Sequence, residues 1–359
     1  MINVTKTYLP DFEEYTTILK RAWDRGWITN HGQLLQELEE KLKAYLAVQN
    51  FLFCGNGTIV LQMALKVFNI TKEVITTPFS YVATTNAILW EGCTPVFVDI
   101  EPETFNIDAD KIEAAITKYT QAILATHVYG LPCDIEKIQA IAQKHQLRVI
   151  YDGAHAFGCI FNGKSLLNYG DITTCSFHAT KIFHTVEGGC IIANNEELNK
   201  KLYLYRSFGH IGDDYYSIGI NAKNSEFHAA MGLAILPEMS TIISERKKIF
   251  DQYNATLPAD LIKPNYDFRD FEYNFSYYPV TFKDEITLLK AKADLQKNEI
   301  NTRRYFYPSL NNLSQVTGIK INCPVSEDIS ARVLCLPLYP GLSRADIETI
   351  SSIITKSIA

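Results

Sequence analysis

The chain has 359 residues, of which 47% are hydrophobic and 21% charged, and its formal net charge is −6. That length suits about two packed units, and that composition excludes a disordered chain. The acidic balance excludes a whole-chain electrostatic footprint for nucleic acid.

The opening stretch, MINVTKTYLPDFEEY, has no charged segment followed by an apolar one, and no run of about 18 apolar residues follows anywhere. A cytoplasmic protein without a membrane span is therefore expected. Leu34, Leu35, Leu38, Leu42, Tyr45 and Leu46 recur at helical spacing and predict a helix over 31–48. A short apolar strand at 51–53 then runs through Cys54-Gly55-Asn56-Gly57-Thr58 into a helical pattern reaching Phe68. Strand-like runs follow at 73–77, 95–100, 122–128, 147–152, 172–177 and 189–193, with helical patterns at 109–118 and 135–145 between them. Short β-branched runs alternating with amphipathic helices predict an α/β fold, a mixed, mostly parallel sheet sandwiched by helices. Past Leu236 the pattern changes to a long polar helix at 240–257, strands at 273–282 and 331–338, and helices at 288–298 and 344–358. This predicts a large domain over 1–239 and a smaller α+β domain over 240–359. The eight cysteines form no C-x-x-C pair and several sit in apolar runs, so buried thiols are expected and a metal is not.

Ligand groups in such sheets gather at the carboxyl ends of strands. Gly55-Asn56-Gly57-Thr58 opens a helix whose free N–H groups suit a phosphate, although a tight turn with an N-cap would look the same. Asp152 ends the run Leu147–Asp152, where it is either a helix cap or a buried acid in need of a partner. Lys181 follows the strand ending in Ser176-Phe177, and is either a solvated lysine or an amine nucleophile. Their order is more informative than any one of them, because turn, acid and lysine each follow a strand. Pyridoxal 5′-phosphate needs a phosphate cradle, a carboxylate for its ring nitrogen and a lysine for its aldehyde, in agreement with that order.

Gly26-Trp27-Ile28-Thr29-Asn30, Asn56-Gly57-Thr58, the stretch from Thr77-Pro78-Phe79 to Thr84, Asp152-Gly153-Ala154-His155, Ser176 to Gly189, Gly219-Ile220-Asn221 with Glu226-Phe227-His228, and Tyr307-Pro308 follow one another along nearly the whole chain. On these motifs the sequence resembles the DegT/StrS-type nucleotide-sugar aminotransferases. The resemblance implies the fold type I of pyridoxal-phosphate transferases, with a pyridoxamine 5′-phosphate form between half-reactions. In this family Lys181 matches the cofactor-bearing lysine, Asp152 the partner of the pyridinium nitrogen and His155 the neighbour of the 3-hydroxyl. Gly57, Thr58, the N–H of Ile59 and Ser176 match the phosphate cradle, and Tyr81 the aromatic stacked on the ring. Asn221 matches a residue given to the neighbouring subunit's phosphate, which implies a homodimer with active sites at the interface. Ile59 and Asn224 stand where the family more often has Ala and Met.

The Ser176–Lys181 segment with Glu187-Gly188-Gly189 is similar to members that aminate C4 of a 4-keto-6-deoxyhexose nucleotide with L-glutamate as donor. His184, Arg304, Phe306 and Tyr307 are the expected contacts to the nucleotide-linked keto sugar, with packing or a solvated charge as the alternative for each. Amination at C3, another nucleotide, or a regulatory protein that binds the cofactor without turnover remain the competing readings. A nicotinamide dehydrogenase lacks its G-x-G-x-x-G here, and a zinc enzyme its ligand spacing.

Overall fold

In the computed structural model, which describes residues 1–314, 318 and 321–358, seven strands share one sheet. Their order is Phe51–Cys54, Gly189–Ala193, Ile172–Ser176, Arg148–Asp152, Thr120–Thr126, Glu73–Thr76 and Thr94–Phe97. Gly189–Ala193 runs antiparallel to both neighbours, and the remaining pairings are parallel. Alternate residues enter opposite apolar layers: Ile123, Ala125, Val149 and Tyr151 face one core, and Ala122, Leu124 and Ile150 the other. Burial on both faces explains why these runs lack a polar alternation. Helices Gln33–Leu46, Ile135–His145 and Glu226–Ile235 close the first layer, and Gly57–Val67, Val82–Trp90 and Glu196–Arg206 the second.

A third core gathers Ile249, Tyr253, Tyr278, Val280, Leu288, Leu334 and Ile350 from the C-terminal third of the chain. Ile2 also packs there and bridges to Ile300, so the first residues of the chain lie with its last third. The continuous helical run Glu226–Thr256 is long and apolar enough for a membrane span by length and composition. Its Ala229, Leu233, Ile235, Met239 and Ile242 are instead buried in the first core.

Three predicted elements differ, one of them the strand expected over 331–338, which is only Val333–Cys335 because helix Pro324–Arg332 takes its first residues. The helix expected over 109–118 stops after one turn at Ile112 and tightens to a 3-10 turn at Glu113–Ala115. The strand expected over 273–282 survives only as Pro279–Thr281, because Phe275 has a positive φ of 55° and Asn274 turns its side chain onto the carbonyls of His155 and Phe157.

One buried ion pair ties three elements together. Glu39, on helix Gln33–Leu46, accepts from the Phe53 N–H at 2.7 Å and from Arg206 at 2.6 Å, with His31 Nε2 at 3.1 Å. Burial alone would raise the Glu39 pKa, and His31 and Arg206 outweigh it and hold the carboxyl below its ordinary value. Glu39→Ala leaves a buried guanidinium without its anion and is expected to lower the unfolding free energy by about 3–5 kcal/mol in urea titration. Glu37→Ala, whose partners Arg21 and Lys41 lie at the surface, should cost under about 1 kcal/mol.

Candidate active site

The carboxyl ends of the parallel strands open on a cavity of about 290 Å³. The C-terminal third supplies its far wall, with Tyr277, Arg303, Tyr305 and Phe306. Asp152 ends its strand inside this cavity at 6% exposure. Its Oδ2 accepts from the Thr84 hydroxyl at 2.7 Å and its Oδ1 from the Ala154 N–H at 3.1 Å. Among the described residues no ion pair closes on this carboxylate. Burial raises its pKa, and the Thr84 and Ala154 hydrogen bonds and the Lys181 charge pull it back. A buried carboxylate that faces the cavity with no cation in contact is a ready partner for a protonated ring nitrogen.

Lys181 is delivered by a turn after strand Ile172–Ser176, in which its own N–H donates to the His178 carbonyl at 2.8 Å. The surrounding protein depresses its ammonium pKa, with Asp152 pulling the other way. The neutral amine, the form that attacks an aldehyde, is therefore reached at lower pH than for a solvated lysine.

At the opposite side, helix Gly57–Val67 starts against strand Ile172–Ser176. A Cβ on Gly57 would stand 2.7 Å from the Ser176 Cβ, so a side chain there would separate the helix from the strand. The Gly57 and Thr58 N–H groups lie in the first turn and have no intrahelical acceptor. Together with the Thr58 and Ser176 hydroxyls at the cavity wall they suit a phosphate dianion. The expected Ile59 N–H is a correction to this cradle: it donates to the Asn56 side chain at 2.8 Å, as an N-cap requires. The Ile59 side chain is packed against the second core.

His155 Nδ1 accepts from the Tyr129 N–H at 3.2 Å, which leaves the proton of the neutral ring on Nε2 for a group in the cavity. Burial holds the His155 pKa well below its usual value, and the Lys181 charge acts in the same direction. Its ring lies parallel to Phe306 at 5.6 Å and edge-on to Tyr277 at 4.7 Å. Tyr81, the residue preceding helix Val82–Trp90, stays 54% exposed on the rim.

Other expected contacts lie elsewhere. His184 is buried with both nitrogens used, Nε2 on the Tyr8 carbonyl at 2.7 Å and Nδ1 on the Val186 N–H at 3.2 Å, so it is a packing residue. Arg304 points away from the cavity to Glu285 at 2.8 Å and the Ala331 carbonyl at 2.7 Å, and Tyr307 stacks beneath its guanidinium at 3.4 Å. Phe306 does line the cavity, and Arg303 takes the position expected of Arg304. Arg303 bridges to Cys335, and successive residues of an extended segment face opposite sides, which sets the two arginines apart. Asn221 is exposed, bridges to Ser207 and does not line this chain's cavity. Ser80, Thr84, Thr126, Tyr277 and Tyr305 were not anticipated. Ser80 and Thr84 lie four residues apart in the Thr77–Thr84 motif, but neither feature points to Asp152.

A cofactor with a phosphate at one end, a ring nitrogen that needs an anion and an aldehyde that needs an amine meets a complementary group at each of these points. The fold and the site therefore define a pyridoxal 5′-phosphate-dependent enzyme. Residues 11–355 match the DegT/DnrJ/EryC1/StrS aminotransferase family, and the chain belongs to that family. It is 40% identical to dTDP-4-amino-4,6-dideoxy-D-glucose transaminase of Escherichia coli, over 98% of each chain. The crystal structure of DesI in the presence of its TDP-sugar product superposes with a TM-score of 0.93 at 31% identity, over 99% of this chain and 93% of that one. A Streptococcus pneumoniae protein described as a sugar aminotransferase and solved in its PLP form gives 0.89 at 25% identity, over 99% of both chains.

Two outcomes are expected. The rate at which the cofactor-free protein turns yellow with added pyridoxal 5′-phosphate should rise with pH through an inflection below the ordinary lysine value of about 10.4, as read by stopped-flow absorbance. Arg303→Ala should raise the KM of an anionic substrate about tenfold or more, whereas Arg304→Ala should lower the thermal midpoint and leave that KM within about twofold.

Proposed function

We propose that the protein transfers the amino group of L-glutamate to the C4 keto group of dTDP-4-keto-6-deoxy-D-glucose. The product is dTDP-4-amino-4,6-dideoxy-D-glucose, a building block for surface polysaccharide such as O-antigen. The observation that carries this reading is the 40% identity, spread over 98% of both chains, to a relative bearing the name of that transaminase. The pyridoxal group, when bound, supplies an electron sink for the pair left when a proton leaves the substrate carbon. The chain's own residues do the rest. Asp152 keeps the ring nitrogen protonated, and Lys181, as a neutral amine, takes the proton from one carbon and returns it to another. Thr58, Ser176 and the first N–H groups of helix Gly57–Val67 hold the phosphate, Tyr81 covers the ring and His155 donates from Nε2. Arg303 places a cation at the wall furnished by the C-terminal third, where an anionic donor or nucleotide enters.

The same reading includes a homodimer in which residues 1–239, apart from the first few that pack with the last third, form the cofactor-binding part and 240–359 the smaller part. Its support is the hairpin His210–Ile211 with Asp214–Tyr215, next to Asn221, where Phe208, Ile211, Tyr215, Tyr216 and Ile218 are all exposed. Exposed apolar side chains concentrated in one short segment suit an interaction surface. A partner seated on it would receive Asn221 at its phosphate.

Incubation with L-glutamate and dTDP-4-keto-6-deoxy-D-glucose is expected to give 2-oxoglutarate and a sugar nucleotide aminated at C4, read by NMR. An amine at C3, turnover only with a GDP- or UDP-linked sugar, or a yellow protein without turnover would each replace this reading. Lys181→Ala should lower kcat by about 10²–10⁴-fold or more, the range for removal of a positioned acid–base group.

A further inference from the structure

Three hydroxyls stand in line behind Asp152. Thr126 Oγ1 lies 3.0 Å from Ser80 Oγ, Ser80 Oγ 2.8 Å from Thr84 Oγ1, and Thr84 Oγ1 2.7 Å from Asp152 Oδ2. All four residues are buried, and they come from three neighbouring positions in the sheet. Thr126 ends the strand next to that of Asp152 and is its register partner. Ser80 follows the next strand out, and Thr84 lies one turn on, in helix Val82–Trp90.

Each hydroxyl carries a single proton, and an ionised carboxylate accepts only. Thr84 must therefore spend its proton on Asp152, which leaves its oxygen to accept from Ser80. Ser80 is then committed as a donor and accepts from Thr126. With an ionised Asp152 the proton order has one solution, in which three O–H dipoles point toward the carboxylate and reinforce one another. We infer that Thr84, Ser80 and Thr126 are positioning residues that form a one-directional hydroxyl relay, which holds Asp152 ionised and oriented so that the cofactor's ring nitrogen stays protonated.

Other groups around the carboxylate do not replace the relay. His155, from the segment after the same strand, is kept neutral by burial. Tyr277, from the far wall, is pushed well above its usual range by burial, with Asp152 adding to the shift. Lys181, from the turn after strand Ile172–Ser176, is the cation whose charge acts on Asp152, and it is the group that must become neutral to work. Thr84 and the Ala154 N–H therefore remain as the carboxylate's constant partners, and the hydrogen bond from Thr84 works directly against the upward push of burial.

The test uses the full-length protein loaded with pyridoxal 5′-phosphate labelled with 15N in the ring, and needs no sugar substrate, so its result is independent of which keto sugar is aminated. The 15N shift and the pH titration of the visible band both report protonation of the ring nitrogen. Thr84→Val keeps the shape and removes the hydroxyl. It should lower the equilibrium constant for proton transfer from Asp152 to the ring nitrogen by about 10–100-fold, the size expected for one charge-assisted hydrogen bond. Thr84→Ser should restore it to within about threefold. Ser80→Ala should shift the 15N signal in the same direction by a smaller amount, and should add nothing in a Thr84→Val background, because the relay is already cut. An unchanged 15N signal in Thr84→Val overturns the inference, as does a Ser80→Ala effect that adds in full to that of Thr84→Val. If Thr84→Val does not fold, as judged by circular dichroism, an unchanged signal in Ser80→Ala overturns it equally.

Discussion

A carboxylate at the end of a buried strand, with no cation in contact, is the constraint from which most of this site follows. Asp152 is placed by the register of the parallel sheet, in which it lies beside Thr126 and Thr174. Removing an ion from water costs several kcal/mol unless hydrogen bonds and opposite charge replace the lost solvation. The fold provides part of that replacement through Thr84 and the Ala154 N–H, and leaves the remaining side of the carboxylate facing the cavity. Such a site is stable enough to form and still has affinity for a positively charged ring.

The far wall is fixed and tied to the same strand end by side-chain hydrogen bonds to backbone carbonyls. Arg246 donates to the carbonyls of Phe275 and Ser276 at 2.9 and 2.6 Å, and Asn274 donates to those of His155 and Phe157 at 2.8 Å each. Gly130 passes close beneath: a Cβ there would stand 2.7 Å from the His155 carbonyl oxygen. The Tyr129 hydroxyl donates to the Tyr305 carbonyl, and its ring stacks parallel to Phe306 at 6.0 Å. His155 is thus held from three directions, by Tyr129, by Asn274 and by the Phe306 and Tyr277 rings. A mobile imidazole could not present Nε2 to one place, and this packing fixes it.

The sheet was legible because burial on both faces writes continuous apolar runs, and the groups that end those runs were legible with it. Asp152 and Lys181 stand out by that logic and Ser176 only through the family resemblance, and the structure gathers all three around one cavity. What the sequence does not carry is parity in short extended segments. Arg303 and Arg304 are adjacent, and only the bridge to Cys335 decides which of them faces the cavity. His184 misled for a related reason: it follows Lys181 by three residues, but the turn that delivers Lys181 sends the chain back toward Tyr8. The departure of 274–277 from a strand depends on side-chain bonds to a segment more than 100 residues away, which no local pattern records.

Burial acts on Asp152 and Lys181 with opposite results that have one cause. Desolvation favours the neutral form of both, raising the pKa of the acid and lowering that of the amine. The hydrogen bonds then separate the two. Asp152 receives a hydroxyl and an N–H that favour its charge, whereas the Lys181 Nζ receives no hydrogen-bond partner among the described residues. The acid is drawn back toward its ionised state, whereas the amine keeps a lowered pKa and reaches its neutral form at lower pH than a solvated lysine. The net charge of −6 bears on none of this. A chain that is acidic as a whole can still meet a phosphate, a carboxylate and a sugar nucleotide, because the helix N-terminus at Gly57, Lys181 and Arg303 all converge on one cavity within it.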